Sequence, residues 1–67
     1  MHQITEAQLR LARLIAEGLT NDEIAVRLNI SSRKVKADTD KLRWMLDVPK
    51  KRHIPRVMRE LGLLRDE

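Results

Sequence analysis

The stretch that most constrains this chain runs from Thr20 to Leu46, TNDEIAVRLNISSRKVKADTDKLRWML. Its opening residues are a helix-start signature. The Thr20 hydroxyl can accept from the Glu23 amide while the Glu23 carboxylate accepts from the Thr20 amide, and Leu19 with Ile24 forms a hydrophobic staple around that cap. The spacing predicts a short helix over 21–28 that buries Ile24, Ala25 and Leu28. Asn29 follows, one of the few residues besides glycine that tolerates a left-handed turn. Ser31 then caps a longer helix over 32–46, with Ile30 and Val35 as its staple. A short helix, a tight turn and a longer helix make a helix-turn-helix.

The flanking residues repeat the same grammar. Thr5 and Gln8 form another capping box, with Ile4 and Leu9 as its staple. A first helix over about 5–17 carries Leu11, Ala12, Leu14 and Ile15 on one face, and Gly18 stands where a left-handed C-cap belongs. Beyond the long helix, Asp47 and Val48 end it and Pro49 stops it from running on. Lys50-Lys51-Arg52 reads as a loop or the start of the next helix. A fourth helix over about 53–61 places Ile54, Val57, Met58 and Leu61 at i, i+3, i+4 and i+7, with Pro55 confined to its first turn and Gly62 as its cap. Leu63 and Leu64 are expected to fold back on the core, and residues 65–67 to fray.

The apolar spacing is helical throughout, so the fold class is all-α: a small four-helix domain built around a helix-turn-helix. At 67 residues the chain forms a single domain with a thin core and no room for a buried catalytic cleft. With no cysteine it has neither disulfides nor thiolate metal sites. It shows no bilayer-length apolar run and no signal-peptide pattern, so a soluble, cytoplasmic protein is expected. His2 and His53 are isolated, which predicts no metal site. There is no Ser-His-Asp set, no paired carboxylates in a cleft and no glycine-rich phosphate loop, so no enzyme, cofactor or small-molecule ligand is expected.

Charge is segregated along the chain. Segment 33–59 holds ten basic and three acidic residues, a net charge of +7, whereas 1–32 nets −1 and the last eight residues net −2. A cationic half beside a nearly neutral half points to a polyanionic partner.

The order ITEAQLRLARLIAEGLTNDEIAVRLNISSRKVK, followed by Leu42, Leu46-x-Val48 and Leu61-Gly62-Leu63, resembles the LuxR/GerE family of four-helix DNA-binding domains over roughly residues 4–63. The residues that carry the likeness are 14–21, 23–31, Val35-Lys36 and those later apolar positions, without gaps. Region 4 of a sigma factor has a similar motif, but the Gly18 spacing and the Leu46-x-Val48 ending fit LuxR/GerE better. The resemblance implies a transcription regulator whose third helix reads double-stranded DNA and whose fourth helix pairs two copies on a two-fold operator. Lys36 matches a frequent contact position. The chain departs from the family pattern at Lys34, Ala37, Asp38, Asp40, Asp47, where glycine is usual, and Pro55.

At about 100° per residue, Val35, Thr39, Leu42 and Leu46 share the core side of the third helix, and Arg33, Lys36, Ala37, Asp40, Lys41 and Trp44 lie opposite. The candidate DNA-binding residues are Arg33, Lys34, Lys36, Ala37, Asp40, Lys41 and Arg43, since lysine and arginine reach phosphates and the O6 and N7 edge of guanine. Ser31, Lys50, Lys51 and Arg52 are candidate phosphate contacts, and Ile54, Val57, Met58 and Leu61 a candidate dimer interface.

Asp38 and Asp40 oppose a polyanion and have three readings. The first is pairing with Lys34 and Lys36, four residues earlier; the second, for Asp40, is acceptance from cytosine N4; the third is a basic protein surface as partner. Trp44 either flanks the DNA backbone, meets a partner subunit, or lies half-buried over helix 1 or helix 4; Met45 and Met58 read as core filler. The expected function is a stand-alone, sequence-specific DNA-binding regulator acting as a homodimer. The alternative is a protein-interaction module or anti-regulator that pairs with a larger transcription factor through helix 4 or the Trp44 face.

Overall fold

A computed structural model describes residues 3–64. Four α-helices follow one another: α1 Glu6–Ala16, α2 Asn21–Leu28, α3 Ser32–Leu46 and α4 Ile54–Glu60, with a single 3-10 turn at Lys51–His53 leading into α4. There is no strand among the described residues, and residues 65–67, expected to fray, lie outside them.

The helix starts form as the side chains dictate. Thr5 Oγ1 accepts from the Gln8 amide at 3.1 Å and Gln8 Oε1 from the Thr5 amide at 2.9 Å; Thr20 and Glu23 repeat the exchange at 3.2 and 2.8 Å. Ser31 Oγ caps α3 by accepting from the Lys34 amide at 3.0 Å. The α4 start has no side-chain cap; Pro55, at its first turn, has no amide hydrogen to satisfy.

All four helices also end alike. The last turn closes on a left-handed residue, Gly18, Asn29, Asp47 or Gly62, with φ between 55° and 85°. In each case the next amide reaches back to the carbonyl five residues earlier: Leu19 to Leu14, Ile30 to Ala25, Val48 to Arg43 and Leu63 to Met58, at 2.8–3.4 Å. The left-handed residue itself donates three residues back, which completes a Schellman motif. The residue after each motif is apolar, and Leu19, Ile30, Val48 and Leu63 all pack against the core. Each chain reversal is therefore sealed twice, by hydrogen bonds and by a buried side chain.

The core comprises Leu11, Ala12, Leu14 and Ile15 of α1, Ile24 and Ala25 of α2, Val35 and Leu42 of α3, and Ile54 and Met58 of α4. Ala12 is fully buried and Ala25 nearly so, small where helices approach closely. Thr39 is the one buried polar side chain among the described residues, and its hydroxyl has no hydrogen-bond partner.

One expectation is corrected by this packing. Ile54 and Met58 were placed with Val57 and Leu61 as a dimer surface, but both are fully buried within the chain's own core. The chain has no phenylalanine or tyrosine and a single tryptophan, so its core needs these two aliphatic side chains and leaves none of their area for a partner. Of that set, Leu61 is exposed and Val57 half-buried.

Candidate nucleic-acid interface

The core side of α3 consists of Val35, Thr39 and Leu42. Arg33, Lys34, Lys36, Ala37, Asp40, Lys41 and Trp44 are all exposed, and Arg43 is half-buried on the flank. Trp44 is 73% exposed, so it is not a half-buried lid over α1 or α4. The outer face is thus exposed and lies outside the core.

Tethers at both ends hold α3 in place. At the N-terminal end Ser32 Oγ donates to the Asp22 carboxylate in the first turn of α2. At the C-terminal end Arg43 Nη1 donates to the Pro49 carbonyl at 2.6 Å, binding the helix to the segment that leaves it. Gln8 Nε2 donates to Met45 Sδ at 3.2 Å, a tie to α1. Lys51 Nζ donates to Asn21 Oδ1 at 3.0 Å and joins the 3-10 turn to the start of α2. None of these four bonds is signalled by local spacing, because the partners come from different elements or from backbone positions set by the fold.

The acidic residues act on the cations around them. Lys34 lies 3.1 Å from Asp38, and Lys36 lies 3.8 Å from Asp40, so the pairing reading describes both carboxylates. Asp40 also receives Arg43 at 3.2 Å, an ion pair that the sequence did not suggest. On α4, Arg56 and Glu60 approach to 4.0 Å. Such exposed pairs contribute roughly 0.2–0.5 kcal/mol each. Arg43 differs: with a carboxylate on one amino group and a carbonyl on the other, it is part of the scaffold, and its expected role as a DNA contact would cost both bonds. Lys51 is likewise engaged, by Asn21.

What remains is a smaller set of cations. Arg33 and Lys41 on α3, Lys50 just before the 3-10 turn and Arg52 within it have no side-chain ion pair or hydrogen bond among the described residues. Ser31, although it caps α3, keeps its hydroxyl hydrogen for an outside acceptor. Val26 on α2, which sequence reasoning did not single out, is 81% exposed. Among the described residues there is no cluster of three or more histidine, cysteine or acidic side chains that could hold a metal ion. No helix among them is long and apolar enough to cross a membrane.

A family model, described as bacterial regulatory proteins of the luxR family (GerE), matches residues 2–58. The chain belongs to that family, whose domain is an all-α helix-turn-helix of DNA-binding regulators. The match runs from before α1 into α4 and covers the whole helix-turn-helix. Neither the curated proteins nor the solved structures give a match.

Proposed function

We propose that this luxR-family chain is a sequence-specific DNA-binding transcriptional regulator that lays α3 in the major groove. The observation that carries this reading is the outer face of α3, where Arg33, Lys36, Ala37, Asp40, Lys41 and Trp44 are exposed and contribute nothing to the core. Arg33 and Lys41 are uncommitted cations along the helix, and Lys50 and Arg52 extend the charge onto the segment after it, where they meet phosphates. Two copies act together on a two-fold site, joined through half-buried Val57 of α4 and exposed Leu61 just after it.

The test is competition binding to duplexes recovered from a random pool. We expect one recovered sequence to outcompete its scrambled version, Lys36→Ala to weaken binding about tenfold, on the scale of one lost base contact, and Arg10→Ala to leave it unchanged. Binding that no sequence competes for, or none at low salt, overturns the reading.

A second reading is favoured by a specific observation. Trp44 and Leu61 are large apolar side chains, 73% and 58% exposed, at places where a protein partner would be met. In this reading the chain is an interaction module that docks on a larger regulator. Solution mass alone and in mixture separates the two: a chain that neither self-associates nor captures a protein partner counts against docking.

A further inference from the structure

The inference rests on the proposed DNA reading and concerns what α3 reads. Lys36, Asp40 and Arg43 form one chain of contacts. Asp40 Oδ1 accepts from Arg43 at 3.2 Å, Arg43 is in turn held by the Pro49 carbonyl at 2.6 Å, and Asp40 Oδ2 faces Lys36 Nζ at 3.8 Å. The two ends differ in tightness. The Arg43 side is bonded at hydrogen-bond distance and anchored to backbone, so it fixes the carboxylate on the helix surface. The Lys36 side is an ion pair without a hydrogen bond, on an ammonium whose side chain is 71% exposed. The carboxylate is therefore held in position, and the ammonium beside it can move.

A carboxylate offers about four lone-pair positions and remains able to accept a further bond when one oxygen is held. In the major groove only cytosine offers N4–H as a donor with no acceptor of its own, and its paired guanine offers O6 and N7 as acceptors next to it. A fixed acceptor with a mobile donor four residues away on the same helix face complements that edge in both senses. Adenine and thymine also present a donor beside an acceptor, but adenine N7 and thymine O4 would each set a lone pair against the carboxylate.

We propose that Asp40 and Lys36 together read a C·G base pair, Asp40 accepting from cytosine N4 and Lys36 turning to the guanine edge, and that Arg43 is the positioning residue that holds Asp40 for this. Asp38 serves as an internal control. It pairs with Lys34 at 3.1 Å but not with Arg43, its lysine partner has no second bond to a backbone carbonyl, and it is half-buried on the flank rather than on the outer line.

The experiment is selection from a random duplex pool with the full chain and four variants, read as base preference by position. The wild-type chain should require C·G at one position of each half-site by about tenfold. Asp40→Asn should lose that preference and favour adenine there, since an amide pairs with adenine N6 and N7. Arg43→Gln should blur the same position and no other, and Arg43→Lys should restore part of it; Asp38→Asn should leave the preference unchanged. Circular dichroism of each variant checks folding, and if Arg43→Gln does not fold, Asp40→Asn and Arg43→Lys still decide. Wild-type sites with no C·G position that responds to Asp40→Asn overturn the proposal while leaving DNA binding intact. Recovery of no bound sequence at any salt overturns the DNA reading itself.

Discussion

Thr39 and Asp47 are the two residues whose chemistry conflicts with their places. Thr39 is buried with a hydroxyl that bonds to nothing, so the donor has lost water without a replacement. Thr39→Val, which keeps the shape and removes the hydroxyl, is expected to raise stability by about 1 kcal/mol in thermal unfolding. Asp47 adopts φ 55°, ψ 48°, the left-handed conformation that costs a side-chain-bearing residue roughly 1 kcal/mol, and it places negative charge at the negative end of α3. Asp47→Gly relieves both and should stabilise by about 0.5–1 kcal/mol, checked by the same measurement, even though glycine adds freedom to the unfolded chain. Asn29, in the matching place after α2, was legible in advance because asparagine is a known left-handed residue. Asp47 was legible only as the end of a helix and as a departure from the glycine usual in the family. The bond that holds Arg43 was not legible for a different reason: its partner is the Pro49 carbonyl, whose position depends on the reversal after α3 and on no side-chain pattern.

The α-helices were the most legible part of the molecule, because α1, α2 and α3 are each specified twice. The capping boxes at Thr5 and Thr20 and the cap at Ser31 follow from residue types three apart. The closing motifs follow from a left-handed residue and an apolar one after it. What spacing alone left open is which partner an apolar stripe faces. Ile54 and Met58 on α4 have the period of a stripe that could meet a second copy or the chain itself, and burial chose the chain. The α2 cap has a measurable pH signature. The backbone hydrogen bond from Thr20, followed by the Thr20 side chain, holds the Glu23 carboxyl below its ordinary value of 4.5. A depressed folded-state value means that the contribution to stability is complete above the unfolded value and is lost as pH falls through the folded one. Glu23→Gln, which keeps an acceptor for the Thr20 amide as Gln8 does for Thr5, should flatten the fall in stability on acidifying below about pH 4.5. An unchanged acid limb would show that the cap carries none of it.

For the whole molecule, charge is what links fold to partner, and the structure alters how that charge is counted. Segment 33–59 nets +7 by formal count, a sum that treats its ten cations alike although Asp38 and Asp40 were already possible partners for Lys34 and Lys36. Lys34, Lys36, Arg43 and Arg56 instead lie within 4.0 Å of carboxylates, and Lys51 donates to Asn21. With Arg59 also engaged, this leaves Arg33, Lys41, Lys50 and Arg52 as the uncommitted set, a distinction invisible in composition because it depends on which side chains the fold brings together. On the proposed reading, such a protein would bind DNA without strong attraction to every duplex, and base reading by α3 would decide where it settles.

The dependence of DNA affinity on salt tests this most directly. Each phosphate neutralised contributes about −0.9 to the slope of log affinity against log salt. On a duplex recovered by selection, we expect a slope of about −4 per protomer, and about −2 once Arg33 and Lys41 are both changed to alanine. A slope of about −9, as all ten cations of segment 33–59 would give, would contradict the engagement of the other six within the fold. No measurable binding at the lowest salt would contradict the assignment of α3 to DNA.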